Sequence, residues 1–99
     1  MDEFKREFNT EELCKWINLK LHFGEEYSNI LIQNHLNGES FLKLNLNELR
    51  EMGIKLVGHR LSFFNLIRTE RRIWNNKQKN YKDIINKIQF SPIVDKFLK

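Results

Sequence analysis

The chain has 99 residues, with 17 Lys+Arg against 13 Asp+Glu, 40% hydrophobic and 12% aromatic residues, four Gly and one Pro. That length supports one compact core and excludes a Rossmann sheet, a barrel or two facing catalytic domains. No apolar run approaches the roughly 20 residues that cross a bilayer, and the net charge of +4 sits in the tail, since residues 1–10, 11–73 and 74–99 carry balances of −1, +1 and +4.

Phe8-Asn9-Thr10-Glu11-Glu12-Leu13 predicts a helix start, with Asn9 as N-cap, Glu12 reaching back from the third helical position, and Phe8 and Leu13 as a hydrophobic staple. Leu13, Trp16 and Ile17 share one face of this helix, which is predicted to end near Asn18 or Leu19. Gly24 breaks the pattern. Glu25-Glu26 then place acid in the first turn of a second helix, where the dipole favours it, and Tyr27, Ile30 and Leu31 form its buried stripe. Asn37-Gly38 reads as a turn with Gly38 in a left-handed conformation, and residues 39–43 leave room for about one helical turn. Phe41, Leu42 and Leu44 pack inward from it.

Asn45 and Glu48 repeat the cap arrangement for a fourth helix that buries Leu49 and Met52 and closes on Gly53 as a left-handed cap. Ile54 then enters the core. A long helix is predicted from Val57 or Gly58 to at least Trp74, with Val57, Leu61, Phe64 and Ile67 facing inward and Phe63, Leu66, Ile73 and Trp74 widening the stripe. Asn75-Asn76 marks an end or kink. Beyond it Tyr81, Ile84, Ile85 and Ile88 form a further amphipathic segment, predicted to fold back on Ile73, Trp74 and Leu66. Ser91-Pro92 opens a last short helix, to which Phe97 and Leu98 add apolar surface. Lys77, Lys79, Lys82 and Lys87 also suit an anionic membrane surface, but a packed extra helix explains the same stripe without a membrane and is preferred. Nothing reads as a strand.

Four short helices followed by one long helix, with these turn residues, resembles a sterile alpha motif (SAM) domain from Phe8 to about Arg72. The carriers are Phe8-Asn9, Trp16-Ile17, Tyr27 with Leu31, Asn34-x-Leu36-x-Gly38, Phe41-Leu42-x-Leu44, Glu48-Leu49-x-x-Met52-Gly53-Ile54 and Gly58-His59-Arg60. Three features depart from the family pattern. The terminal helix commonly finishes with an apolar residue near Glu70 or Arg71, whereas here apolar residues reappear at Ile73-Trp74. The stretch from Trp16 to Tyr27 is about one residue longer than usual, and Leu61-Ser62 follow Arg60 where members often carry polar or basic residues.

The resemblance implies an all-α, five-helix SAM-type bundle over residues 9–74, flanked by an N-terminal arm (1–8) and a C-terminal helical extension (75–99). It implies a non-enzymatic protein–protein interaction module in signalling or scaffolding, free-standing or part of a longer protein. Its partner would be another SAM domain, of its own kind or a different one, met head to tail: the start of the last helix on one copy (the end-helix face) against the acidic middle segment of the other (the mid-loop face). On the end-helix side the candidates are Lys55, Gly58, His59, Arg60 and Arg68, which can cluster around an anion-favouring helix start or be plain solvated charges. Gly58 lies where no left-handed residue is required, so it either admits another backbone or begins the helix. On the mid-loop side the candidates are Glu39, Glu48 and Glu51. The alternative partner is an RNA hairpin, which some members bind through the same basic helix start; Leu61 and Ser62 weaken that reading.

No residue pattern points to catalysis, a metal or a cofactor. His22, His35 and His59 are far apart in sequence and lack metal-ligand spacing, and no glycine-rich phosphate loop is present. Cys14 lies beside the buried face of the first helix and reads as a packed thiol. A lone cysteine and an acidic opening suggest the cytoplasm or nucleus.

Overall fold

A computed structural model of the chain describes residues 3–90, and the side chains of residues 3–78. Five α-helices follow one another: α1 (Thr10–Lys20), α2 (Ser28–Gln33), α3 (Gly38–Leu42), α4 (Leu46–Met52) and α5 (Val57–Phe90), with a 3₁₀ turn (Gly24–Tyr27) leading into α2. No strand occurs among the described residues. Three asparagines write the starts of α1, α3 and α4. Asn9, Asn37 and Asn45 each accept the N–H three residues on, and Glu12, Ser40 and Glu48 each reach back to the cap's own N–H. An N-cap of this kind stabilises by about 1 kcal/mol, and three of them define helices too short to hold themselves.

Some boundaries differ from the sequence reading. α1 runs to Lys20 because the Leu21 N–H still bonds the Ile17 carbonyl at 2.8 Å. Glu25 and Glu26 lie in the 3₁₀ turn rather than in α2. Gly53 is left-handed as predicted, with φ +117°, but Gly38 is not. Gly38 begins α3, its N–H bonds the Phe8 carbonyl at 2.9 Å, and a Cβ there would strike the Lys5 carbonyl oxygen and lie 2.8 Å from that of Arg6. Its need for no side chain comes from the arm lying across it.

The core joins Leu13, Trp16 and Ile17 of α1 to Tyr27, Leu31, Phe41, Leu49, Ile54, Phe63 and Ile67. On α5 the inward face is set by Phe63 and Ile67, both fully buried, while Val57 and Leu61 are exposed by 59% and 47%. Leu61 precedes Phe63 by two residues, about 200° round the helix, so the two cannot share a face.

The arm packs on the body. Phe4 meets Trp16, Phe8 and Phe41 with centroid separations of 5.0, 5.6 and 6.1 Å. The Arg6 guanidinium lies 4.3 Å above the Trp74 ring, and Glu3 pairs with Lys77 at 3.1 Å. Trp74, still 36% exposed, thus meets the N-terminal arm through Arg6. α5 does not end at Asn75-Asn76; it continues to Phe90, 34 residues in all. Such a helix is about 51 Å long, within a molecule whose long dimension is 61 Å. Residues 79–90 thus extend the helix instead of folding back, and the expected short helix at Ser91-Pro92, with Phe97 and Leu98, lies outside the described residues. None of the helices among the described residues is long and apolar enough to cross a membrane.

Candidate functional site

The start of α5 is built by two side chains that turn inward. Gly53 reverses the chain after α4, and the Ile54 N–H bonds the Leu49 carbonyl at 3.1 Å, which drops Ile54 into the core. Arg60 Nη1 then donates to the Ile54 carbonyl at 3.1 Å and to that of Lys55 at 3.5 Å, fastening the α4–α5 turn from within α5. The His59 ring stacks on Phe23 at 3.8 Å, 7° from parallel, and its Nδ1 shares a hydrogen bond with the Tyr27 hydroxyl at 2.6 Å.

With His59 and Arg60 so engaged, the surface at this helix start is left to Lys55, Leu56, Val57, Gly58 and Leu61, all exposed. A Cβ at Gly58 would meet nothing within 4 Å. The fold itself therefore has no use for glycine there, although glycine in a helix costs about 1 kcal/mol relative to alanine. The face is an apolar patch around a bare backbone, with one cation at its rim. Arg68 is not part of it. Ten residues on, it lies about 15 Å from Gly58 along α5, its guanidinium 5.9 Å from the Phe64 ring.

Glu39, Glu48 and Glu51 are exposed on α3 and α4. Glu39, in the first turn of α3, accepts from Arg6 at 2.9 Å and lies 3.9 Å from Lys43. Glu48 Oε1 accepts the Asn45 N–H at 3.1 Å as the returning half of the cap, and Glu51 accepts from Asn47 Nδ2 at 3.2 Å. Leu46, 38% exposed, opens α4.

Two arginines essential to this geometry escaped the sequence reading. Arg71 donates through Nε to the Leu42 carbonyl and through Nη2 to that of Leu44 at 2.6 Å, satisfying the end of α3 from α5. Its signal was a charged residue four positions after the buried Ile67, on the inward stripe. Arg6, which links Glu39 to Trp74, carried no local signal.

The titratable groups show packing rather than chemistry. Burial pushes the Cys14 thiol above its ordinary value, with Sγ 3.9 Å from the Ser28 carbonyl. Burial likewise raises Tyr27 and Glu70, while the hydrogen bond and charge of Lys77 lower Glu3. Among the described residues no group of three His, Cys, Asp or Glu side chains is placed to hold a metal ion.

A family model of the SAM (sterile alpha motif) domain matches residues 8–69. The chain is 31% identical over 83 residues to the sexual differentiation protein ste4 of Schizosaccharomyces pombe, covering 83% of this chain and 30% of that protein. It is 32% identical over 59 residues to the mitogen-activated protein kinase kinase kinase MST11 of Pyricularia oryzae, covering 60% of this chain and 6% of that protein. The chain thus spans less than a third of the length of either relative. No solved structure matches it.

Proposed function

The chain belongs to the sterile alpha motif domain family, a family of protein-interaction modules, and we propose that it docks head to tail on another SAM domain, the start of α5 on one molecule meeting the α3–α4 face of the next. The observation that carries this reading is the exposed set Leu56, Val57 and Leu61 around the open Gly58. A contiguous apolar patch on a small domain marks a contact surface, and the bare Cα at Gly58 lets a partner backbone approach. Leu56, Val57 and Leu61 supply the apolar centre, Lys55 the positive rim, and His59 and Arg60 position the turn from beneath.

The other half draws on α3 and α4, where Leu46 offers apolar surface at the start of α4, Glu48 and Glu51 share a face of that helix at i and i+3, and Glu39 adds acid from α3. An apolar centre with a charged rim is the usual anatomy of a specific interface. Opposite rim charges speed association more than they tighten it, so salt changes the on-rate more than the dissociation rate. The two patches differ, so the contact is heterologous and propagates unless capped. One chain carries both halves, which makes a second copy the first partner to test. A phosphate-binding role has less support, because Lys55 alone among the basic residues at the helix start is turned outward, and phosphate contacts need several cations. The single buried thiol suits a reducing compartment, the cytoplasm or nucleus.

Sedimentation of the chain across concentration and salt tests this directly. Association that Leu61→Asp abolishes with helical circular dichroism intact supports it. Association indifferent to Leu61→Asp removes the start of α5 from the contact.

A further inference from the structure

The outer face of α5 carries polar groups that the fold does not use. Phe63 and Ile67, both fully buried, mark the inward face. Arg72 lies about 180° round the helix from Phe63, and Asn65, Arg68, Asn75 and Asn76 lie within about 60° of Arg72. All five are exposed, and they line a shallow groove of about 720 Å³ to which α5 alone contributes. Among the described residues no ion pair engages Arg68 or Arg72, and no group bonds the carboxamides of Asn65, Asn75 or Asn76. The one acid between Val57 and Gln78 is Glu70, which lies about 160° round the helix from Arg72.

We propose that this face docks an extended acidic segment of a partner protein, with carboxylates on alternate residues. Charge selects an anionic occupant, since two free guanidiniums face no acid. Arg68 and Arg72 are about 6 Å apart along the axis, close to the roughly 6.6 Å that separates every second residue of an extended chain, whose side chains point the same way. Each guanidinium can hold a carboxylate through two parallel N–H donors.

The carboxamides choose among anions. Each offers an N–H donor and a carbonyl acceptor, which complements the acceptor and donor of a peptide group. An extended segment has such groups free along its edge, and the roughly 16 Å from Asn65 to Asn76 spans about five of its residues. A helix of acids would match the two arginines equally well, but its backbone groups are bonded internally. Phosphates accept without donating, so a nucleic acid or a lipid headgroup would leave three carboxamide oxygens unmet, and two cations neutralise little of such a surface. A second copy does not supply the segment either. Apart from Glu3 and Glu7 of the arm, every acid among the described residues lies in a helix or in the 3₁₀ turn. The groove shares no residue with Leu56, Val57, Gly58 or Leu61, so it stands or falls apart from the head-to-tail contact.

The test uses the full chain and a fluorescein-labelled peptide of alternating Glu and Thr, about nine residues long. Fluorescence anisotropy should show saturable one-to-one binding that weakens as salt rises. Arg68→Gln with Arg72→Gln, which changes exposed side chains alone, should weaken binding about tenfold or more. Asn75→Ala with Asn76→Ala should weaken it severalfold, and helical circular dichroism should persist in both variants. The proposal is overturned by no binding of the peptide, by binding indifferent to the arginines or to Asn75 and Asn76, or by equal binding of an acidic peptide that is helical in solution. Capture of single-stranded DNA or of phosphatidylserine vesicles through the same arginines, by a chain that ignores the peptide, would overturn it as well.

Discussion

Tyr27 and His59 meet at 2.6 Å, hydroxyl to ring Nδ1, across 32 residues of sequence. With Phe23 stacked on the same imidazole, this contact locks the 3₁₀ turn before α2 to the first turn of α5. The orientation of Leu56, Val57 and Gly58 thus depends on residues far away in the sequence but packed against this turn. Tyr27→Phe should lower unfolding free energy by about 0.5–1.5 kcal/mol, the value of one such hydrogen bond, and His59→Ala by more, since it also removes the stack. Urea titrations measure both. No change in Tyr27→Phe would mean that the hydroxyl gains nothing from His59.

Two glycines should respond oppositely to alanine. At Gly38 the new methyl strikes the arm's backbone, so Gly38→Ala should destabilise the fold and release Phe4 from Trp16 and Arg6 from Trp74, with tryptophan fluorescence reporting the loss. At Gly58 the methyl meets nothing within 4 Å, and Gly58→Ala should stabilise the isolated chain by up to about 1 kcal/mol. The same methyl fills the gap a partner backbone would use, so docking should weaken. Docking as strong as in the wild type would reduce Gly58 to an ordinary helix-start residue.

The caps at Asn9 and Asn45 were legible because a capping box is a local code, complete within four residues. The phase of α5 was not. Val57, Leu61 and Phe64 make as good a helical stripe as Phe63 and Ile67, and only the position of Ile54 and of the helices beneath decides between them. Asn75-Asn76 misled because asparagine is only mildly unfavourable in a helix, by less than about 0.7 kcal/mol, and nothing there breaks the backbone ladder. At the candidate site the named positions were visible, but not that His59 and Arg60 turn inward, since their partners Phe23, Tyr27 and Ile54 are fixed only by the fold.

Arg71 should prove structural. It donates to the carbonyls of Leu42 and Leu44 at the end of α3, and Arg71→Ala leaves both without it, at a cost of about 1–3 kcal/mol. Arg71→Lys should restore only part, because an ammonium lacks the planar fork that reaches two acceptors. Chemical denaturation of the three proteins checks the order. Full rescue by lysine would show that charge, not geometry, is what matters.

Cys14 should resist alkylation while the domain is folded. Burial raises its folded-state pKa, so the stability linked to its neutral form is complete below the unfolded thiol's pKa and is lost as pH rises through the folded value. Stability should therefore decline on the alkaline side, above about pH 8.5, and Cys14→Ser should change that slope. An iodoacetamide time course near pH 8 with and without urea is the direct check. Equal rates would place the thiol in solvent.

The central claim is that the start of α5 on one molecule binds the α3–α4 face of another, and mixing two single-faced variants tests it most directly. Leu61→Asp removes one face, and Leu46→Lys with Glu51→Lys removes the other. Each variant alone should sediment as a monomer at concentrations where the wild type associates, and an equimolar mixture should form a one-to-one complex that grows no further. A mixture that stays monomeric, or variants that associate as the wild type does, would contradict the account.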